Sequence, residues 1–294
     1  MLQYDACRLC PRQCGVNRSA GQRGYCRMPD RIVAARAAAH YWEEPVISGS
    51  FGSGAVFFSG CTLGCAFCQN ESISHENFGL DVTPSHLREI FERLIDEGCQ
   101  NINLVTPTHF LPSILPALRP KLSVPVVYNC GGYERVETLR ELEGLVDIYL
   151  PDLKYSDSGL AARLSHAPDY VPTAQKALLE MYRQVGPAVI EDGRMTHGMI
   201  VRHLILPGQI DNSLGVLDWF SERFLGKGVL FSLMSQYVPA GRMKNEPPFD
   251  RTLSEEEYDA VLSYMDLCGI EDGYTQDFSA ASTDFIPPFT GEGL

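Results

Sequence analysis

Long apolar runs are missing from this sequence. No stretch approaches the ~18 consecutive apolar residues that a membrane span needs, so no membrane association is expected. The start, "MLQYDACRLC", lacks the basic segment and apolar core of a secretory leader, and a cytoplasmic protein is expected. Internal repeats and low-complexity segments are absent as well. Positive charge is missing from one end: between Thr252 and Leu294 stand ten acidic residues and no Lys or Arg. The formal net charge of -13 argues against nucleic acid as the main ligand.

What is present is an ordinary globular composition, 45% apolar and 21% charged over 294 residues, enough for one large domain or two small ones. Seven arginines lie between Met1 and Arg36. With the acidic end they read as two solvated faces of opposite sign; a sharper reading is a basic N-terminal surface that docks a partner.

Short apolar runs alternate with amphipathic stretches. The runs are 55–59, 102–106, 124–129, 146–150, 199–206 and 229–234. Between them, "TPSHLREIFERLIDEG" offers Thr83 as N-cap, Pro84 at the first helical position and an apolar face of Leu87, Ile90, Phe91, Leu94 and Ile95. "SEEEYDAVLSYMDLCG" opens on a capping-box pattern, Ser254 to Glu257. Strand–helix alternation with continuous apolar strands predicts an α/β fold: a parallel sheet covered by helices, six units making a partial (β/α)6 barrel. Chemistry is expected at the carboxyl ends of the strands, where "TPTH", "NCGGYE", "PDLKY", "LPGQIDN" and "SQYVPAG" fall. Residues 1–45 read as a small Cys-rich N-terminal cap, and 46–294 as the barrel with a C-terminal helix and acidic tail; "RIVAARAAAHYW" adds a strand leading into the barrel.

Ten cysteines without a leader point to metal or catalysis rather than disulfides. Three of them, Cys61, Cys65 and Cys68, sit in "SGCTLGCAFCQN" directly after the first strand. Structural zinc wants four ligands and a four-iron cluster is normally held by four cysteines. A cluster with three protein thiolates leaves one iron open for a chelating ligand, and S-adenosylmethionine offers an amine and a carboxylate. Phe67, before the last cysteine, would pack on the adenine. The alternatives are a three-thiolate zinc site completed by a histidine and a chance group of buried cysteines. Cys7, Cys10, Cys14 and Cys26 form a second, four-thiol group suited to zinc or an auxiliary iron–sulfur cluster. Cys99, Cys130 and Cys268 are expected to be buried small residues.

The C-x3-C-x2-C spacing, with an aromatic before the last cysteine and a strand before the loop, resembles the radical S-adenosylmethionine (SAM) superfamily. "CRLCPRQCGVNR", "GYCR", "NINLVTPTH", "YNCGGYE", "VDIYLPDLKY", "MIVRHLILPG" and "MSQYVP" resemble, more narrowly, the pyruvate formate-lyase activating enzyme-like proteins of the PflX type. This resemblance implies a 4Fe-4S cluster on Cys61, Cys65 and Cys68, and reductive cleavage of SAM to a 5′-deoxyadenosyl radical that abstracts hydrogen, in the activating enzymes from a glycine of a partner protein. It implies anaerobic chemistry and an electron donor such as flavodoxin or ferredoxin. Where those enzymes carry Gly-Gly-Glu for the cofactor amine, this chain has Thr106-Pro107-Thr108 and no carboxylate. Asn129 matches their "TNG" position, Asp152 and Lys154 their D-x-K, and Arg202 and His203 the fifth-strand pair; all are implied to touch the cofactor. Tyr133, Tyr155 and Tyr237 lie near strand ends, toward the substrate or in ordinary packing. Rival readings are radical modification of a small molecule or peptide, and a non-catalytic iron–sulfur redox or sensor protein.

Overall fold

The computed structural model describes residues 2–281 and 286–294. Its strands are β1 (Ile32–His40), β2 (Ser53–Phe58), β3 (Leu80–Val82), β4 (Ile102–Val105), β5 (Val126–Cys130), β6 (Ile148–Pro151), β7 (Val189–Glu191), β8 (Arg194–Leu204), β9 (Leu230–Met234) and β10 (Gly273–Thr275). They form one sheet in the order β10-β9-β8-β6-β5-β4-β2-β1-β3, with β7 paired to β8. The six expected strands are β2, β4, β5, β6, β8 and β9, and all neighbours among them run parallel. The short β10 adds a further parallel strand beside β9 that the sequence reading did not anticipate. No pairing joins β10 to β3 among the described residues, so the barrel stays open on one side.

The "RIVAARAAAHYW" segment is indeed a strand. It runs antiparallel to β2, with His40 opposite Ser53. The chain therefore leaves β1 at the amino edge of the parallel strands, and the loop 41–44 starts beneath the barrel. A one-turn helix, Pro45–Ser48, then closes the floor: Val46 and Ile47 pack with Val127, Ile148 and Ile200.

Strand parity divides the core in two. On β8, Met199 and Val201 belong to the large apolar layer between sheet and helices, whereas Ile200 belongs to the interior plug. The covering helices obey their local signals. Thr83 accepts from His86 N at 3.2 Å, Pro84 opens the helix Pro84–Asp96, and Leu87, Ile90, Phe91 and Leu94 are buried. The capping box of Ser254 and Glu257 is formed on helix Glu255–Leu267. No helix among the described residues is long and apolar enough to cross a membrane.

Of the seven N-terminal arginines, Arg8, Arg23, Arg27 and Arg31 are exposed, as a solvated face requires, but Arg18 and Arg12 are tied into the fold. Arg18 is 1% exposed and donates to His109 O at 2.6 Å and to Pro29 O. Arg12 donates to the carbonyls of Thr62, Leu63, Ser165 and His166, clamping residues 2–31 onto the barrel. The described acidic residues of the C-terminal end are mostly exposed, and its last residues are tied to β1. Gly291 N donates to Ala35 O, Ala37 N donates to Glu292 O, and Arg36 pairs with Glu292 at 3.0 Å.

Candidate active site

The loop after β2 carries the three thiols. It leaves the strand through Gly60, where φ is +78° and a Cβ would fall 2.4 Å from Met28 Cγ, so only glycine lets the loop pass this close to the cap. Cys65 is buried, and Cys61 and Cys68 are half-buried. Each of the three sulfurs receives a hydrogen bond: Leu63 N to Cys61 at 3.4 Å, Ser165 Oγ to Cys65 at 3.0 Å, Ser74 Oγ to Cys68 at 3.2 Å. Burial pushes the Cys68 thiol up to about 12, so it needs a nearby positive centre to ionise.

These thiols roof a cavity of about 460 Å³ running down the barrel lumen. Phe67, Thr106, Thr108, Asn129, Asp152, Lys154 and Arg202 all line it. His203 does not join them. It is fully buried on the opposite face of β8, with Nδ1 at Leu153 O (2.7 Å) and Nε2 at Ser213 (2.9 Å), and burial lowers it to about 4. Adjacent strand residues face opposite sides, so Arg202 and His203 could not both reach the lumen. Tyr133, Tyr155 and Tyr237 are buried packing residues, bonded to Asp169, Ser165 and Phe249 O. Cys99 and Cys130 are buried as expected; Cys268 is only half-buried.

The charged residues form one network. Asp152 accepts from Lys154 Nζ at 2.6 Å and from Arg202 Nε at 2.9 Å. Burial alone would raise the Asp152 carboxyl, but the Arg202 and Lys154 charges hold it below its usual value. Arg202 Nη2 donates to Asn129 Oδ1 at 2.7 Å and Nη1 to Glu43 Oε2 at 2.9 Å. Together they make a buried lattice rather than a solvent-exposed ion pair. Thr106 adopts φ +60° at the end of β4, a left-handed conformation costing a β-branched residue about 1–2 kcal/mol.

Three carboxyl groups escaped the sequence reading. Glu134 ends "NCGGYE". Gly132, at φ +75° and with a virtual Cβ 2.3 Å from Asp152 O, turns the chain so that Glu134 comes back under Thr108. It accepts from the hydroxyls of Thr108 (2.7 Å) and Tyr128 (3.4 Å), and burial pushes its carboxyl up to about 8. Glu43 enters from below and accepts from Asn103 and Asn129 amides, each at 3.0 Å. Glu44 lies beside it; burial raises its carboxyl, against the pull of Arg202. The only sequence signals were a Gly-Gly turn after a strand and two acids before Pro45.

In the cap, Cys7 and Cys10 are buried, Cys26 is half-buried and Cys14 is exposed. Tyr25 N donates to Cys14 Sγ at 3.3 Å. A second cavity of about 430 Å³, between cap and thiol loop, is lined by both Cys26 and Cys61 together with Arg27, His75 and Arg242. Among the described residues, no group of three or more His, Cys, Asp or Glu side chains closes around a single metal ion.

The sequence profile of the 4Fe-4S single cluster domain matches residues 48–110, the stretch containing the thiol loop. Streptococcus suis SuiB is similar at a TM-score of 0.50 and 14% identity over 76% of this chain, which spans about half, 49%, of SuiB. Methylornithine synthase (PylB) is similar at 0.50 and 16% over 76% of this chain and 70% of that one. A cysteine-to-alanine mutant of spore photoproduct lyase is similar at 0.50 and 10% over 74% of each chain. At such identities the likeness is one of fold, a partial α/β barrel, and the cysteine loop lies within the stretch that matches the 4Fe-4S single cluster domain. The uncharacterized protein MJ0674 of Methanocaldococcus jannaschii is 31% identical over 278 residues, 91% of this chain and 76% of that one. The chain belongs to the same family as MJ0674.

Proposed function

We propose that the protein is a radical SAM enzyme. The observation that carries this reading is the placement of three hydrogen-bonded thiols on one loop at the roof of an acid-lined cavity, with Cys130, the other cysteine of its lining, on β5 rather than on that loop. The donor set fits a 4Fe-4S cluster on Cys61, Cys65 and Cys68, with SAM on the open iron. Bound there, the two groups supply one-electron cleavage of the C5′–S bond and hydrogen abstraction from a substrate.

The chain's own residues bind and aim. Lys154 Nζ has three donors and gives one to Asp152, which leaves two for the cofactor carboxylate. Glu134 supplies the carboxylate that "TPTH" lacks, reaching the Thr108 position from the next strand, and would meet the cofactor ammonium. Asn129 and Asp152 hold Arg202, whose three nitrogens are already bonded; Arg202 therefore positions that layer of the cavity. Phe67, edge-on to Tyr155, would flank the adenine. Cys7, Cys10, Cys14 and Cys26 would hold a second centre, zinc or an auxiliary cluster. An acidic donor such as flavodoxin or ferredoxin would approach by the cavity beside Cys61, past Arg27 and Arg242.

A second reading, with a protein segment as substrate, is favoured by the open side of the barrel, where the exposed Trp42 and residues Thr275 and Pro287 line the same cavity.

The test is anaerobic reconstitution, reduction and addition of SAM, with assay of 5′-deoxyadenosine. Cys65→Ala is expected to lose both the iron–sulfur absorption and the product. A fully loaded wild type that does not bind SAM would sink the enzyme reading and favour a redox protein.

A further inference from the structure

The lower end of the cavity differs chemically from its roof. Cys65 has Lys154 and Asp152 as its charged neighbours, whereas Glu44 has Arg202 and Glu43. Arg202 stands between these ends. All three of its nitrogens are used, on Asp152, Asn129 and Glu43. Asp152 thus has two basic partners, and Glu43 has one plus two amides. Glu44 has no ion-pair partner among the described residues, although it is only 8% exposed and lines the cavity.

Its Oε2 is buried without a hydrogen-bond partner among the described residues. So is Asn103 Oδ1, whose amide nitrogen donates to Glu43 in the same layer. Both unsatisfied atoms are acceptors. Leaving a buried acceptor unmet is destabilising, and a carboxylate more so. A group that only donates, and carries positive charge, would satisfy the Glu44 acceptor that lines the cavity; an ammonium has three donors and no acceptor. A metal ion would want several oxygens, and no group of three or more His, Cys, Asp or Glu side chains closes around an ion among the described residues. The floor beneath is sealed by the apolar plug of Val46 and Ile47, so the site is a blind end sized for a small molecule.

We infer that the lower end of the cavity binds the ammonium group of a small-molecule amine substrate, with the Glu44 carboxylate as its counter-ion. This rests on the radical SAM reading, because the amine end would anchor a substrate beneath the cofactor. Ser232, which hydrogen-bonds the Glu44 carboxyl, and Tyr274 line the same end, and Tyr274 would flank the alkyl stem beside the charge.

The test is calorimetric titration of the cluster-loaded, SAM-loaded protein with n-butylammonium, using butanol as the neutral isostere. Wild type is expected to prefer the ammonium by about tenfold or more, the worth of one charged hydrogen bond. Glu44→Gln is expected to abolish that preference and to leave SAM affinity unchanged. Glu44→Asp, which keeps the charge but withdraws it, should reduce the preference, and it replaces Glu44→Gln if that variant does not fold. Equal binding of ammonium and alcohol by wild type overturns the inference. So does a preference that survives Glu44→Gln, or one lost in Glu134→Gln instead, which would put the cation at the thiol end. SAM binding by wild type, titrated alone, separates the two proposals: its absence sinks the radical reading, while the amine result judges only the Glu44 site.

Discussion

At the scale of single residues, the cavity works by holding carboxyl groups in different states. Asp152 is kept ionised by two cations, while Glu134 has as donors the Thr108 and Tyr128 hydroxyls and the Cys130 thiol, none of them charged, and is driven by burial to about 8. The folded chain therefore keeps a proton on Glu134 at pH values where the unfolded chain, with an ordinary carboxyl at 4.5, has lost it. Stability must fall as pH rises through that window and level off above about 8. Glu134→Gln removes this dependence. In the cofactor-free protein, its unfolding free energy relative to wild type should grow by about 3 kcal/mol between about pH 5 and about pH 8. Urea denaturation at each pH checks this, and a difference independent of pH would show that Glu134 is ionised throughout. Glu44 acts in the same direction in both proteins and cancels from the comparison.

At the scale of elements, the chain's helix ends do more than start helices. Ser254 accepts from Glu257 N at 3.3 Å, and the Glu257 carboxylate accepts from Ser254 N at 2.9 Å. The same carboxylate also accepts from Gly208 N at 2.7 Å and from Arg251. It thereby ties the last helix to the "LPGQ" turn after β8. Ser254→Ala should cost about 1 kcal/mol and Glu257→Ala about twice that, because only the latter also frees the Gly208 amide. Chemical denaturation of the two variants gives the ratio, and equal losses would mean the cross-link to Gly208 contributes nothing.

At the scale of the whole molecule, the cap and the thiol loop behave as one body. Arg12 reaches four backbone carbonyls and lies over the Tyr25 ring at 3.9 Å and the Tyr133 ring at 5.2 Å. Tyr25 OH in turn donates to Leu63 O at 2.9 Å. Arg12→Met keeps the stem but drops these bonds and the stacking charge. It should lower stability by about 3 kcal/mol and expose residues 2–31 to proteolysis before the barrel is cut. Simultaneous cleavage of cap and barrel would show that the clamp does not separate them. The acidic end closes the circle from the other side, with Phe289 packed against Phe57 at 5.4 Å and the backbone of 291–292 paired to β1.

Much of this was legible in the sequence, because it depends on neighbours along the chain. The thiols were legible because Cys61, Cys65 and Cys68 share one loop. So were the six parallel strands, from runs apolar on both faces, and the caps at Thr83 and Ser254, which are contacts over three residues. The rest was decided by tertiary structure. His203 and Arg202 are adjacent in sequence, yet strand parity sends one to the helices and the other to the lumen. Arg18 looked like surface charge until the cap folded over it. Glu43, Glu44 and Glu134 became cavity residues only because β1 runs antiparallel and delivers its following loop beneath the barrel, and because Gly132 reverses the chain under Thr108. Local patterns determine which elements form and where ligands cluster; which face of an element meets the lumen, and which distant carboxyl arrives there, is set by the long-range closure of the sheet.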